Sequence, residues 1–312
     1  MKANIHYLFI LCLLILGSCK NGNASSQSKN ETPQDTIKAI KMPAIPQMMT
    51  APEQRADFLA KHYWDNVNFA DTNYIHHPEV TEQAWADYCD LLNHVPLETA
   101  QQAMRNVIDR TNVDKKVFTY ITDLADKYLY DPNSPMRNEE FYIPVLEAMI
   151  ASPVLNETEK IRPQARLKLA QKNRIGTKAL NFTYTLASGA QGSLYQLKAE
   201  YLLLFINNPG CQACTETIEG LKNAPVINQL LQEKKLVLLS IYPDEELDEW
   251  KKHLSEFPNE WINGYDKKFT IKEEQVYDLK AIPTLYLLDK DKTVLLKDAT
   301  APAIEAYLMQ HQ

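Results

Sequence analysis

Tyr201-Leu202-Leu203-Leu204-Phe205-Ile206, followed at once by Asn207-Asn208-Pro209-Gly210-Cys211-Gln212-Ala213-Cys214-Thr215-Glu216, anchors the reading of the whole chain. The first six residues are apolar throughout, as a central strand covered on both faces should be. The residues after Cys211 read as a helix, so a thiol stands at a helix's first turn, beside unpaired backbone N–H groups and the positive end of the dipole. Both stabilise a thiolate, which makes Cys211 the expected nucleophile. Cys214, three residues on, shares that helical face within disulfide reach and is the expected resolving thiol.

Other uses of a Cys-x-x-Cys pair fit this sequence less well. A c-type haem attachment needs His directly after the second Cys, and Thr215 is there. A structural zinc site needs two further ligands, but there is no second Cys pair and most histidines lie far upstream. A static disulfide closing so short a loop would constrain the unfolded chain little. A peroxidase site would use a single activated Cys with Thr or Ser beside it. Thiol–disulfide exchange without metal or cofactor is the expectation.

Working outward, short β-rich runs occur at 181–186, 201–206, 236–242, 284–288 and 293–297. Helical stretches lie between them: one after Cys211, one over 245–257, one over 271–279, and one from Pro302 to the end. Strands alternating with helices and ending in a hairpin imply a mixed sheet flanked by helices.

The region 179–312 resembles the TlpA/ResA-like group of thioredoxin-fold proteins. Besides the Cys-x-x-Cys after a central strand, Ala281-Ile282-Pro283-Thr284 before the strand at 285–288 is similar to that group's cis-proline loop. Asn181-Phe182 to Leu197 is similar to its N-terminal hairpin, and Tyr286-Leu287-Leu288-Asp289-Lys290-Asp291-Lys292 to its hairpin turn. The resemblance implies that Pro283 is cis and that Ile282 contacts a substrate peptide. It also implies reduction as the favoured direction, with electrons from a membrane thiol donor. Two positions depart from the group. Pro209-Gly210 replaces the Trp that commonly precedes the first Cys, and Thr217 replaces the acidic residue three positions after the second, leaving Glu216 or Glu219 as stand-ins.

Upstream, no glycine occurs between Gly22 and Gly176, which argues for helices over hairpins. Apolar residues recur at Leu97, Ala100, Ala103, Met104, Val107 and Ile108, then at Val117, Phe118, Ile121, Leu124, Ala125, Tyr128 and Leu129, the spacing of one helical face. Weaker stripes appear at 58–63, 84–92 and 141–150, with prolines between segments and Pro144 inside the last one. Five or six packed helices are expected over 51–178. His62 and His94 flank apolar stripes, His76-His77-Pro78 reads as a loop, and none has metalloprotease spacing, so no metal site is expected. Cys89 falls on the stripe Trp85, Tyr88, Leu92 and is read as a buried, inert thiol. The run from Ala56 to Asp65 with Asn68-Phe69-Ala70-Asp71 resembles the start of a helical domain of unknown function that precedes thioredoxin-like domains in lipoproteins of Bacteroidetes.

At the N-terminus, Lys2, about ten apolar residues over 7–16 and then Leu16-Gly17-Ser18-Cys19 read as a secretory signal. The run falls short of the ~20 residues that span a bilayer. The four residues resemble the bacterial lipobox, which implies diacylation of Cys19, a stable membrane anchor. Residues 19–50, rich in Asn, Ser, Gln, Lys and Pro, read as a flexible tether. Lys20-Asn21-Gly22-Asn23 lacks an acidic cluster associated with surface export, which points to the periplasmic face of the outer membrane.

The chain is thus expected to comprise a signal peptide (1–18), a tether (19–50), a helical domain (51–178) and a thioredoxin-like α/β domain (179–312). With 33 basic against 40 acidic residues, a net charge of −7 and no basic run, nucleic acid is excluded as a partner. Client proteins with thiols or disulfides are the expected partners. Two functions remain open: a lipid-anchored thiol–disulfide oxidoreductase of the cell envelope, and a binding scaffold whose disulfide does not turn over.

Overall fold

Apolar stripes at helical spacing fold most of the first half into helices, and polar side chains cap the last three of them. A computed structural model describes residues 39–311. Six α-helices come first: α1 (Pro52–His62), α2 (Pro78–Leu92), α3 (Leu97–Arg110), α4 (Lys115–Ala125, continued by a π turn to Tyr130), α5 (Glu139–Ala151) and α6 (Glu157–Ala170). Asp114 accepts from the Lys116 and Val117 amides at the start of α4, Asn138 caps α5, and Asn156 forms a reciprocal capping box with Glu159 on α6. Pro52 and Pro78 occupy first helical turns, where a missing N–H costs nothing.

Helix α5 is the hub, burying Phe141, Tyr142, Ile143, Pro144, Val145, Leu146 and Ala148. Pro144 lies within it because the carbonyl it leaves without an amide, that of Glu140, accepts from Gln101 Nε2 of α3 at 3.1 Å instead. Helix α6 fully buries only Pro163 and Ala170, so it has no periodic stripe.

The tether read from composition ends earlier than residue 50. Ile40 packs on the helical core, Asn66 Nδ2 donates to the Lys41 carbonyl at 2.9 Å, and Arg55 reaches the Met49 carbonyl at 3.3 Å. The composition of 19–50 taken as a whole concealed this, because the polar residues lie upstream and Ile40, Met42, Ile45, Met48 and Met49 crowd the last twelve positions. The signal peptide, Cys19 and the tether up to residue 38 lie outside the described residues.

From residue 183 the chain builds a seven-stranded sheet: β1 (Thr183–Leu186), β2 (Gln191–Ser193), β3 (Tyr201–Ile206), β4 (Leu236–Tyr242), β5 (Ile262–Tyr265), β6 (Thr284–Asp289) and β7 (Val294–Lys297), in the order β2-β1-β5-β4-β3-β6-β7. β4 pairs in parallel with β3 and β5, and the remaining pairings are antiparallel. Alternate residues of β3 feed two cores. Leu203 and Phe205 pack with α7 (Gln212–Lys222), α8 (Pro225–Gln232) and α11 (Ala301–Gln310), whereas Leu202, Leu204 and Ile206 pack with Phe182, Tyr184, Ile271 and Tyr277. The helical layer and the sheet belong to one compact unit.

The helix expected after Cys211 is α7, and a second helix, α8, which was not read, follows it from Pro225. Two other elements differ from expectation. The helix over 245–257 shortens to α9 (Leu247–Lys252) and a 3-10 turn. The helix over 271–279 is a single turn, α10 (Thr270–Glu273), after which Gln275 takes a left-handed φ of 50°. The apolar spacing there arises because Ile271 and Tyr277 are buried against the sheet, without a helix between them. Strand β5 went unread because Ile-Asn-Gly-Tyr is short and glycine-bearing; a Cβ on Gly264 would lie 3.0 Å from the Tyr184 ring, so a larger residue there would press on β1 and the ring would have to give way.

Candidate active site at the Cys211 loop

Ile206 at the end of β3 pairs with Thr284 at the start of β6. That register sets the loop leaving β3, with its cysteines, beside the loop entering β6. Gly210, at φ 69°, makes the turn that lets the chain enter α7. Cys211 is the N-cap of that helix, with its Sγ accepting from the Cys214 amide at 3.4 Å. The Cys211 thiol is partly exposed and its Sγ lies 3.8 Å from the carbonyl oxygen of Ile282. The Ile282–Pro283 peptide bond is cis, and both residues are partly exposed beside the sulfur.

Cys214 lies behind, 2 % exposed. Burial pushes its thiol up to about 12, with Cys211 adding to the shift and the Asn208 backbone amide opposing it. Both cysteines are free thiols. Glu216 is exposed and accepts from Gln212, and Glu219 pairs with Lys222, so neither is committed to Cys214. Thr217 donates to the Ala213 carbonyl.

Sequence reasoning passed over the asparagines before the motif. Asn207 is buried; its Nδ2 donates to Ser240 Oγ at 2.8 Å and its backbone amide to the Ile241 carbonyl, which fixes the end of β3. Asn208 donates to Asp244 at 2.9 Å, and Lys272 holds the other oxygen of that carboxylate. Only their place between strand and motif could have marked them. A cleft of ≈ 310 Å³ opens beside Asn208 and Pro209, walled by Asp244, Glu245, Glu246 and Glu249.

Away from this site, Cys89 is 2 % exposed in the helical core and burial pushes its thiol well up. His62 and His77 pair with Asp65 and Glu79 near the surface. Among the described residues no group of three or more His, Cys, Asp or Glu side chains is placed to hold a metal.

Comparison with known proteins places both halves. Residues 18–173, half of the chain, match a domain of unknown function (DUF5106), and residues 199–294 match a thioredoxin-like family. No curated protein matches the chain. A thioredoxin-like protein from Bacteroides caccae is 83 % identical, covering 89 % of this chain and 100 % of its own, with a TM-score of 0.87. The C-terminal domain of an uncharacterized protein from Bacteroides fragilis is 70 % identical over 44 % of this chain and 98 % of its own, with a TM-score of 0.43. A conserved protein of unknown function from Bacteroides fragilis is 36 % identical over 43 % of this chain and 98 % of its own, with a TM-score of 0.42. The chain belongs to the DUF5106 family, with its helical N-terminal domain followed by a thioredoxin-like domain.

Proposed function

We propose that the protein is a thiol–disulfide oxidoreductase that acts on client proteins through Cys211 and Cys214. The observation that carries this reading is the pairing of a partly exposed thiol at a helix N-cap with a buried second thiol three residues on, beside the Ile282 carbonyl. In the reducing direction, the Cys211 thiolate attacks a client disulfide; the client S–S bond breaks and one client sulfur leaves as a thiol after taking a proton. The mixed disulfide is then attacked by Cys214 as thiolate, which frees the second client thiol and leaves a Cys211–Cys214 disulfide. Two electrons have passed to the client, and a membrane thiol donor restores the pair. The Ile282 backbone, next to cis Pro283, would pair with the client peptide, as the resemblance to the TlpA/ResA-like group implies. The lipobox-like Leu16-Gly17-Ser18-Cys19 supports anchoring in the cell envelope, facing the periplasm.

One observation favours a second reading. No carboxylate stands at Thr217 to deprotonate Cys214, whose thiol is held at about 12, as suits a scaffold whose disulfide turns over rarely. A redox titration of the full-length protein, following alkylation of Cys211 and Cys214 by mass, separates the two. A reversible two-electron transition between about −300 and −120 mV supports exchange, with its position giving the direction. A pair that never oxidises, or stays oxidised below that range, supports the scaffold.

A further inference from the structure

The segment from Glu274 to Lys280 carries the chain from α10 to the Ile282 loop with neither helix nor strand pairing along it. Its successive carbonyls are taken by the end of the helical domain. Lys172 Nζ donates to the carbonyls of Glu274 at 3.2 Å and Gln275 at 2.6 Å, and Asn173 Nδ2 to that of Val276 at 2.7 Å. The same Asn173 accepts from the Leu180 amide at 2.7 Å, and the buried Tyr277 donates to the Leu180 carbonyl at 2.8 Å.

Two residues before Ile282, the ammonium of Lys280 meets Glu139, the first residue of α5, at 3.0 Å, with Asp278 at 3.1 Å and Asp298 at 3.4 Å around it. The four side chains are 7 to 12 % exposed. Glu139 also pairs with Lys297 of β7, whose Nζ donates to the Lys172 carbonyl at 2.8 Å. Polar contacts of this depth cost desolvation and hold only in one geometry, so they fix where the segment runs.

We propose that the helical domain is the positioning element of the client-binding loop: Lys172, Asn173 and Glu139 hold Glu274 to Lys280, and so hold the Ile282 carbonyl beside Cys211. The catalytic thiols need no help from it, but a peptide that must pair with the Ile282 backbone does. This rests on the exchange activity proposed above. Small reagents, which need no such pairing, are indifferent to it.

The test uses the full-length protein and two variants. Glu139→Gln removes the charge that bridges Lys280 and Lys297. Lys172→Met, at a partly exposed position, keeps the test open should the first fail to fold. Amide hydrogen exchange over 274–286 is expected to quicken by about tenfold or more while β3 and β4 are unchanged. For reduction of a disulfide-bonded peptide, KM is expected to rise roughly three- to tenfold with kcat within about twofold. Alkylation of Cys211 by iodoacetamide stays within about twofold, because a thiolate's reaction with a small electrophile depends on its own charge and access. Unchanged exchange over 274–286 in a folded variant overturns the proposal, as does an equal fall in peptide reduction and alkylation. If the unsubstituted protein reduces no peptide, the exchange activity is what fails, and the amide exchange alone decides the positioning role.

Discussion

The sulfur of Cys211 and the carbonyl oxygen of Ile282 stand 3.8 Å apart across 71 residues of sequence. Strand register explains the meeting: β3 and β6 are antiparallel neighbours, so the end of one and the start of the other share an edge of the sheet. The N-cap geometry of α7 then turns the sulfur toward that edge, and the left-handed Gly210 makes the turn without a steric penalty.

Division of labour between the thiols predicts opposite phenotypes for their replacement. Cys211→Ser should lower the rate of disulfide reduction by at least about a hundredfold, since a serine hydroxyl stays protonated and no mixed disulfide forms. Cys214→Ser should instead accumulate a covalent adduct at Cys211, visible by intact mass after exposure to a disulfide-bonded protein. Adduct formation in the Cys211→Ser variant would exclude the assignment.

The buried thiol sets a pH dependence. Cys214 is raised from the ordinary 9.0 to about 12, chiefly by burial, so at neutral pH it is protonated and its thiolate fraction grows as pH rises. Release of client from a preformed mixed disulfide should therefore quicken about tenfold per pH unit between roughly pH 7 and 9, without a plateau. Rapid-quench measurement of that single step decides it; a plateau near pH 8 would mean that an unrecognised base serves Cys214.

The two halves of the chain were unequally legible. The helical faces of α3 and α4 announced themselves because each buries one stripe, and Cys89 fell on such a stripe. Helix α6 escaped because it rests on the bundle through few residues. The Cys211 loop stood out because β3 is apolar at every position, as a strand with two covered faces is, and the Cys-x-x-Cys pair follows it directly. What could not be read was the stretch after Glu273, where side chains of Lys172 and Asn173, roughly a hundred residues away, claim the carbonyls a helix would need. Apolar spacing carries no trace of such a competitor.

Within the helical domain, Arg166 places Nη1 2.8 and 2.7 Å from the two oxygens of Asp126 and its guanidinium 4.0 Å from the Tyr130 ring centre. It also donates to Tyr142, whose hydroxyl donates to Asp126. Removing one member of a fully buried pair costs roughly 3–5 kcal/mol. Here Asp126 is 27 % exposed and keeps Arg162 at 3.4 Å, so Arg166→Met should cost less, about 2 kcal/mol. Urea unfolding checks this, and a loss under about 0.5 kcal/mol would place the network among ordinary surface pairs.

Client choice should follow charge. The cleft beside Asn208 and Pro209 is walled by Asp244, Glu245, Glu246 and Glu249, and of these Asp244 is paired to Lys272 and Glu249 to Lys252, which leaves Glu245 and Glu246 to face an arriving peptide. A disulfide peptide flanked by Lys or Arg should be reduced faster than one flanked by Asp or Glu, chiefly through kcat/KM, because exposed charge steers encounter more than it deepens binding. The gap should be about three- to tenfold at low salt and shrink toward unity near 0.5 M salt, where the screening length falls to roughly 4 Å. Replacing Glu245 and Glu246 with Gln should narrow it at low salt in the same way. Equal rates for the two peptides at low ionic strength would show that the cleft lies off the path the client takes to Cys211.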